Sequence, residues 1–413
     1  MTWGTAMASD LPYADQGEAD QSLRPVWEDT PDETDADRRP PSLSRRAADG
    51  ADVDLLLATL ADAADALARL DARVAASDET LRVGLLARLA LAEAAGWLAH
   101  AQSWVHPLDL ALRAAGLTAP AALAALGAGA RALPQTLAQP AGRRGWEDPP
   151  LDALPAADQA IADALAFARV LCRLPGGGPH PFASFAATAD TLAGLGARID
   201  RDTLGVWWSA HAPAPPVRRR YGARRDAGSV PRPPLLAGAL AAQTWMQAAI
   251  TDPPEPALAL LASFGRLARS PPVRHVFVPF WSAYPAVGFS DRAALPTLRS
   301  EAADRIAGWG VSIAWPAAGL HLIAESARMG LRDLDRLQAA ADRGRGGLAG
   351  VDRRSRLPAA LEALLCAPLV TTKELAAKLR IAPQTATALL REMQGRGVAR
   401  EVTGRGRFRA FAV

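Results

Sequence analysis

Lysine is nearly missing from this chain. Of its 46 basic residues only Lys373 and Lys378 are lysine, and both fall in one stretch, TTKELAAKLRIAPQTATALL, at Thr371–Leu390. Alanine, glycine and proline abound beside the arginines, which marks codon bias, so an arginine count alone names no partner. Cysteine is equally scarce. Cys172 and Cys366 stand far apart with no CxxC, which excludes a disulfide scaffold and a thiolate metal site and fits a reducing cytoplasm. No long uncharged apolar run exists: Leu81–Ala99 is broken by Arg82, Arg88 and Glu93, so no membrane span is expected. Met1–Asp20 lacks a basic segment followed by an apolar one, so no secretory leader is read there.

Catalytic signatures are missing too. His100 and His106 lie six apart with Asp109 nearby, which is no metal-ligand spacing, and they read as packed or surface residues. Gly176–Gly178 is not followed by the Lys-Ser/Thr of a phosphate loop, and no Gly-x-Ser-x-Gly elbow occurs. The expectation is no metal, no cofactor and no enzymatic activity. Trp207, Trp208, Trp281, Trp309 and Trp315 read as core, and they are the first place to look for a small-molecule pocket.

What is present is half apolar residues, largely alanine, which favours helix and buries little area per residue. The expected fold is mainly α: a helical N-terminal region plus a C-terminal winged helix-turn-helix with a small β-hairpin wing. Charge is polarised along the chain. Met1–Gly50 holds 11 acidic and 5 basic residues, and Val351–Val413 holds 12 basic and 5 acidic, so a near-neutral total hides an acidic head and a basic tail. Residues 1–50, rich in Asp, Glu, Pro and Ser, are expected to be disordered.

Residues 51–341 are read as a helical domain of unassigned role. Leu56, Leu60, Leu67, Leu70 and Val74 form one helical stripe. Further helices are expected at Leu81–Ser103, Pro107–Ala115, Ala156–Leu174, Leu235–Ile250, Pro256–Arg269 and Gly319–Ala341. Pro213–Pro234 reads as an exposed loop and Arg274–Tyr284 as a buried strand. Residues 342–356, DRGRGGLAGVDRRSR, read as a flexible basic linker that either lies along a DNA backbone or is simply solvated.

The signals sharpen over residues 357–413. Leu357–Cys366 is a short helix with Pro358 in its first turn. Thr371 and Glu374 form a capping box, Arg380–Ala382 make a turn, and Pro383 opens the next helix. Leu375, Ala376, Leu379, Ile381, Ala386, Leu389 and Leu390 form the shared core of a helix-turn-helix. After Gly397 two extended segments flank Thr403–Gly406, which is a hairpin with a glycine-rich tip.

The functional expectation follows from the outward faces. Pro383, Gln384, Thr387, Ala388 and Arg391 face away from the core, with Gln384 suited to adenine and Arg391 to guanine in a major groove. Lys373, Thr385 and Arg396 are placed for phosphate contacts, and Arg405, Arg407 and Arg409 put the wing against phosphate or a minor groove. Lys378, four residues after Glu374, reads instead as half of an exposed helix pair. The expected partner is double-stranded DNA and the expected role is transcriptional regulation. The alternative is a protein-interaction module. A homodimer through the Ile323–Gln338 helix is a second expectation.

The stretch SRLPAALEALLCAPLVTTKELAAKLRIAPQTATALLREM, followed by REVTGRGRFRAFAV, resembles the C-terminal helix-turn-helix of an uncharacterised bacterial family, where it follows a domain of unknown function. GLRDLDRLQAAADR and DALARLDARVAAS resemble that family as well. The tail is also similar to the winged helix that ends many Fic proteins, which implies AMP transfer onto a protein hydroxyl. The Fic motif needs His-Pro-Phe followed by a Gly-Asn-Gly-Arg phosphate loop. Here His180-Pro181-Phe182 runs into Ala183-Ser184-Phe185-Ala186 and no such loop occurs, so the comparison implies at most a degenerate relative.

Overall fold

The leucine stripe of the first helix dictates what covers it. In the computed structural model Asp52–Ala76 forms α1, and Leu60, Leu67, Leu70 and Val74 are buried along one face. Their partner is the last and longest helix of the body. The structure describes residues 52–101, 103–117, 153–175, 179–211, 233–253, 255–267, 275–286, 314–352, 354–403 and 409–413. The expected disordered head, the loop residues 213–232, the Gly176–Gly178 run and Trp309 lie outside these residues.

Nine helices of the body are described: α1, α2 (Glu79–His100), α3 (Pro107–Ala114), α4 (Ala153–Arg173), α5 (Phe185–Gly194), α6 (Arg201–Ala210), α7 (Pro234–Gln247), α8 (Pro256–Leu267) and α9 (Ala314–Gly347). Strands β1 (Arg198–Ile199) and β2 (Thr251–Asp252) form one short antiparallel pair. The core is continuous from α1 into the C-terminal residues, within one unit spanning Ser42–Val413.

Helices α1 and α9 run side by side in the same sense. Arg328 meets Asp62, Leu70 lies against Gly330, and Arg73 meets Asp335 at 2.6 Å, each pair a step further along both helices. Ile323, Ala327, Leu334 and Leu337 of α9 are buried. This corrects the expected homodimer surface: the apolar face of Ile323–Gln338 is already covered by the chain's own helices.

The expected strand at Arg274–Tyr284 is a second correction. From Val276 to Tyr284 the segment is buried, as its aromatic and β-branched composition predicts, but residues 275–283 form no strand. A buried extended backbone must place every N–H on an acceptor, and among the described residues no neighbouring strand supplies one. Carboxylates replace it. Glu93 of α2 accepts from the N–H groups of Phe280, Trp281 and Ser282 at 2.7–2.8 Å, and Asp71 of α1 accepts from those of His275 and Val276. Burial pushes the Glu93 carboxyl up from its ordinary range, against the pull of its backbone donors. Close approach completes the seat: a Cβ on Gly96 would stand 1.8 Å from the Trp281 carbonyl oxygen, so only glycine fits.

The linker expectation also changes. Helix α9 runs on to Gly347, so residues 342–347 are helical. Leu348 is buried, and this packing outweighs the glycines' poor helix propensity. Only the short stretch from Leu348 to Arg356 separates α9 from the next helix.

The C-terminal residues form α10 (Leu357–Cys366), β3 (Val370–Thr371), α11 (Thr372–Leu379), α12 (Pro383–Gly395), β4 (Arg400–Glu401) and β5 (Ala410–Ala412). The sheet order is β3-β5-β4, antiparallel throughout, with Val370 opposite Phe411 and Glu401 opposite the same residue from the other side. The protein is therefore mainly α-helical with a C-terminal winged helix-turn-helix.

Candidate nucleic-acid interface

Local chemistry builds the helix-turn-helix. Thr371 caps α11: its side chain accepts from the N–H of Glu374, while the Glu374 carboxylate accepts from the Thr371 N–H and hydroxyl. That arrangement turns Glu374 away from the helix pair expected with Lys378. Pro383 stands at the first position of α12, where its missing N–H breaks no bond. Leu375, Ala376, Ala386 and Leu390 are buried between the two helices, while Leu379, Ile381 and Leu389 are half-buried at the margin. Met393, not foreseen, is fully buried and closes the core one turn beyond Leu390.

The back of this module is fastened to the body. Arg88 of α2 donates from Nη1 to the carbonyl of Leu365 at 2.8 Å and from Nη2 to those of Leu364 and Ala367 at 3.3 and 2.8 Å. These are carbonyls at the end of α10, whose orphan acceptors and negative dipole end suit a cation. Burial lowers the Arg88 pKa to about 10. Beside it Gly84 lets the backbones meet: a Cβ there would lie 2.0 Å from the Leu365 oxygen. A weaker contact, Arg396 to the Gly347 carbonyl at 3.4 Å, ties the far end of α12 to the end of α9.

The front is left open. Lys373, Pro383, Gln384, Thr385, Arg391 and Arg396 are exposed. Lys373, Lys378, Arg391 and Arg400 make no ion pair or side-chain hydrogen bond with any described residue. Thr387 differs from the expectation: it is half-buried, and its hydroxyl donates to the Pro383 carbonyl at 2.9 Å, so it serves its own helix. Arg396 is drawn to Glu392 at 2.8 Å, and half-buried Arg409 lies 3.6 Å from Glu401 across the hairpin. Arg405 and Arg407 lie outside the described residues.

Two residues now stand out that the outward-face reading passed over. One is Arg380, exposed in the turn itself with φ 52° and ψ 51°. Its signal was available in the sequence, because the residue that ends a helix before a tight turn is most often glycine. The other is Arg88, which nothing local marks.

The remaining motifs resolve into packing. His106 caps α3 through Nδ1, which accepts from the Leu108 N–H. His100 packs at a tilt against Trp281 and edge-on against Tyr284. Phe182 of the His-Pro-Phe run is buried against Gly265 of α8, and the Phe182 N–H donates to His180 Nδ1. The Trp207 indole donates to the Ala241 carbonyl, and Arg266 lies over the Trp208 ring at 3.5 Å. Beside Trp281 only a gap of about one water's size remains, lined by Glu93 and apolar side chains. Among the described residues no group of three or more His, Cys, Asp or Glu is placed to hold a metal, and no helix is long and apolar enough to cross a membrane.

Comparison with known proteins agrees with the C-terminal geometry. Residues 357–413 match the family described as HTH DNA binding domain, which begins with the first residue of α10. The chain is also similar to the uncharacterized protein y4cF of Sinorhizobium fredii (strain NBRC 101917 / NGR234), at 34% identity over 93 residues. That similarity covers 22% of this chain and 23% of the relative, so the chain spans about a quarter of the relative it matches.

Proposed function

We propose that the chain binds double-stranded DNA in a sequence-specific manner through residues 357–413 and regulates transcription. The observation that carries this reading is the division of the module into a fastened back and an open front. α10 is clamped to the body, while the face of α11 and α12 keeps Lys373, Gln384, Thr385 and Arg391 exposed. The match of the same residues to a DNA-binding family supports it.

In this reading α12 enters the major groove with Pro383 at its exposed start, Gln384 and Arg391 read base edges, and Lys373 with Thr385 sets the register on phosphates. Arg405 and Arg407 are the wing residues assigned to the backbone or minor groove, and Arg409, half-buried beside Glu401, contributes less. Arg396, already paired with Glu392, contributes less than its charge suggests. Thr387 contributes through the helix and not by contact. A DNA partner implies a cytoplasmic location.

Mobility shifts with the full chain on sequences selected from random DNA test the proposal. Gln384→Ala and Arg391→Ala are each expected to weaken the selected site about tenfold or more while leaving bulk DNA binding nearly unchanged. Wild-type binding should fall steeply with salt. Failure to enrich any sequence, together with salt-independent retention, would overturn the reading in favour of a protein-interaction module.

A further inference from the structure

We infer that Arg380, in the turn between α11 and α12, is a DNA-backbone contact that holds the reading helix in register; this rests on the DNA-binding reading above. Arg380 sits in the left-handed region at φ 52°, where a side chain is disfavoured and glycine costs nothing. Near the same module the chain does use glycine at left-handed positions, at Gly350 and Gly397. Only Arg380 and Ala249 break that habit among the described residues.

No side-chain partner among the described residues compensates the choice. The Arg380 backbone N–H caps α11 by donating towards the Ala376 and Ala377 carbonyls, a task glycine performs equally well. The guanidinium is exposed and forms no ion pair or hydrogen bond with any described residue, unlike Arg396 on Glu392 or Arg409 on Glu401. It also stands two residues before Ala382, the first flanking residue of α12, whose first turn contains no acid and no side-chain cap. Arg380 also caps the C-terminal end of α11, whose negative dipole end favours a cation, so the two helix ends offset each other and the dipoles do not decide the choice of arginine. An arginine held at a left-handed position with its cation unpaired among the described residues is explained when an anion binds there, and in the proposed complex that anion is a phosphodiester. Phosphate contacts of this kind fix position and carry no sequence information.

The test is a comparison of full-length wild type, Arg380→Gly and Arg380→Lys on a selected site and on unrelated duplex, across a salt series, together with thermal melts. Arg380→Gly should melt at the same temperature or slightly higher, because the left-handed strain is gone. It should nevertheless bind both duplexes several-fold more weakly, with the slope of log affinity against log salt reduced by about one. Arg380→Lys should keep the slope. Wild-type affinity and slope in Arg380→Gly would overturn the inference while leaving the DNA-binding reading intact. Absence of salt-dependent binding in the wild type would overturn both.

Discussion

The body and the C-terminal module spend their charges in opposite directions. In the body Arg69, Arg73, Arg328 and Arg345 each meet a carboxylate, Arg266 lies on a tryptophan face, and Glu93 and Asp71 are consumed by backbone N–H groups. In the module Lys373, Lys378, Arg380, Arg391 and Arg400 have no partner among the described residues, and its acids Glu374 and Glu392 serve local caps and pairs. A fold that needs its polar groups for its own backbone uses them inwardly. A surface meant for a polyanion leaves them out. The arginine count could not separate these cases, and pairing does so only in part: Arg396 and Arg409 of the module meet Glu392 and Glu401, so the contrast rests on Lys373, Lys378, Arg380, Arg391 and Arg400.

The largest effect is expected where the inward use is most concentrated. Glu93→Ala leaves three buried N–H donors, on Phe280, Trp281 and Ser282, without an acceptor and should cost about 3–5 kcal/mol in chemical denaturation. Partial insolubility or loss of the cooperative transition would be the same result in stronger form. A loss below about 1 kcal/mol would mean that water takes over the three donors and that Glu93 is not what seats the segment.

The next effect falls on the joint between the two regions. Arg88→Ala removes three charge-assisted bonds to the carbonyls of Leu364, Leu365 and Ala367 and should cost about 2–3 kcal/mol. Amide exchange should quicken across Leu357–Ala367, and proteolysis near Arg354 should release the module from the body. Unchanged protection there would mean that apolar contact alone holds the joint.

How legible each region was in the sequence follows from the range of its interactions. The module's signals are local. Thr371 and Glu374 are three residues apart, Pro383 marks its own helix start, and Gly397 takes a left-handed φ of 68° where the break was expected. The body's decisive contacts are not: Glu93 reaches backbone 187–189 residues away, and Arg88 reaches the α10 carbonyls across 276–279 residues. A buried apolar segment looks the same in sequence whether a strand or a carboxylate satisfies it, which is why Arg274–Tyr284 read as a strand. Helices α5 and α6 were overlooked although Ser184 and Asp200 cap them as sequence rules allow, because ten-residue segments rich in small residues carry little periodicity. The exposure of Arg391 and Gln384 was legible because α12 is regular. Arg409 and Thr387 were not, because their partners lie across the hairpin and on their own helix.

A smaller effect is expected within the module. Thr371→Ala removes the cap of α11 and frees the Glu374 carboxylate, which should cost about 1 kcal/mol. Because α11 supports α12 through Leu375 and Ala376, the loss should also loosen DNA binding. Thr371→Ser should restore both, since serine caps as well as threonine. A variant as stable as wild type would show that the module's order comes from its core and its joint rather than its caps.

The smallest stability effect sharpens the comparison most. Asp335 pairs with Arg73 at 2.6 Å between α1 and α9, yet both side chains are more than half exposed, so water and salt screen the attraction. Asp335→Ala should therefore change stability by less than about 0.5 kcal/mol, and less still at high salt. Arg391→Ala on the open face should be equally silent in denaturation, because no described residue depends on that guanidinium. The two variants should part in the binding assay. Asp335→Ala should bind as wild type does, and Arg391→Ala should lose about a factor of ten on the selected site. Equal binding by both variants would erase the distinction between inward and outward charge, because a surface cation in the module would then behave like any other on the protein.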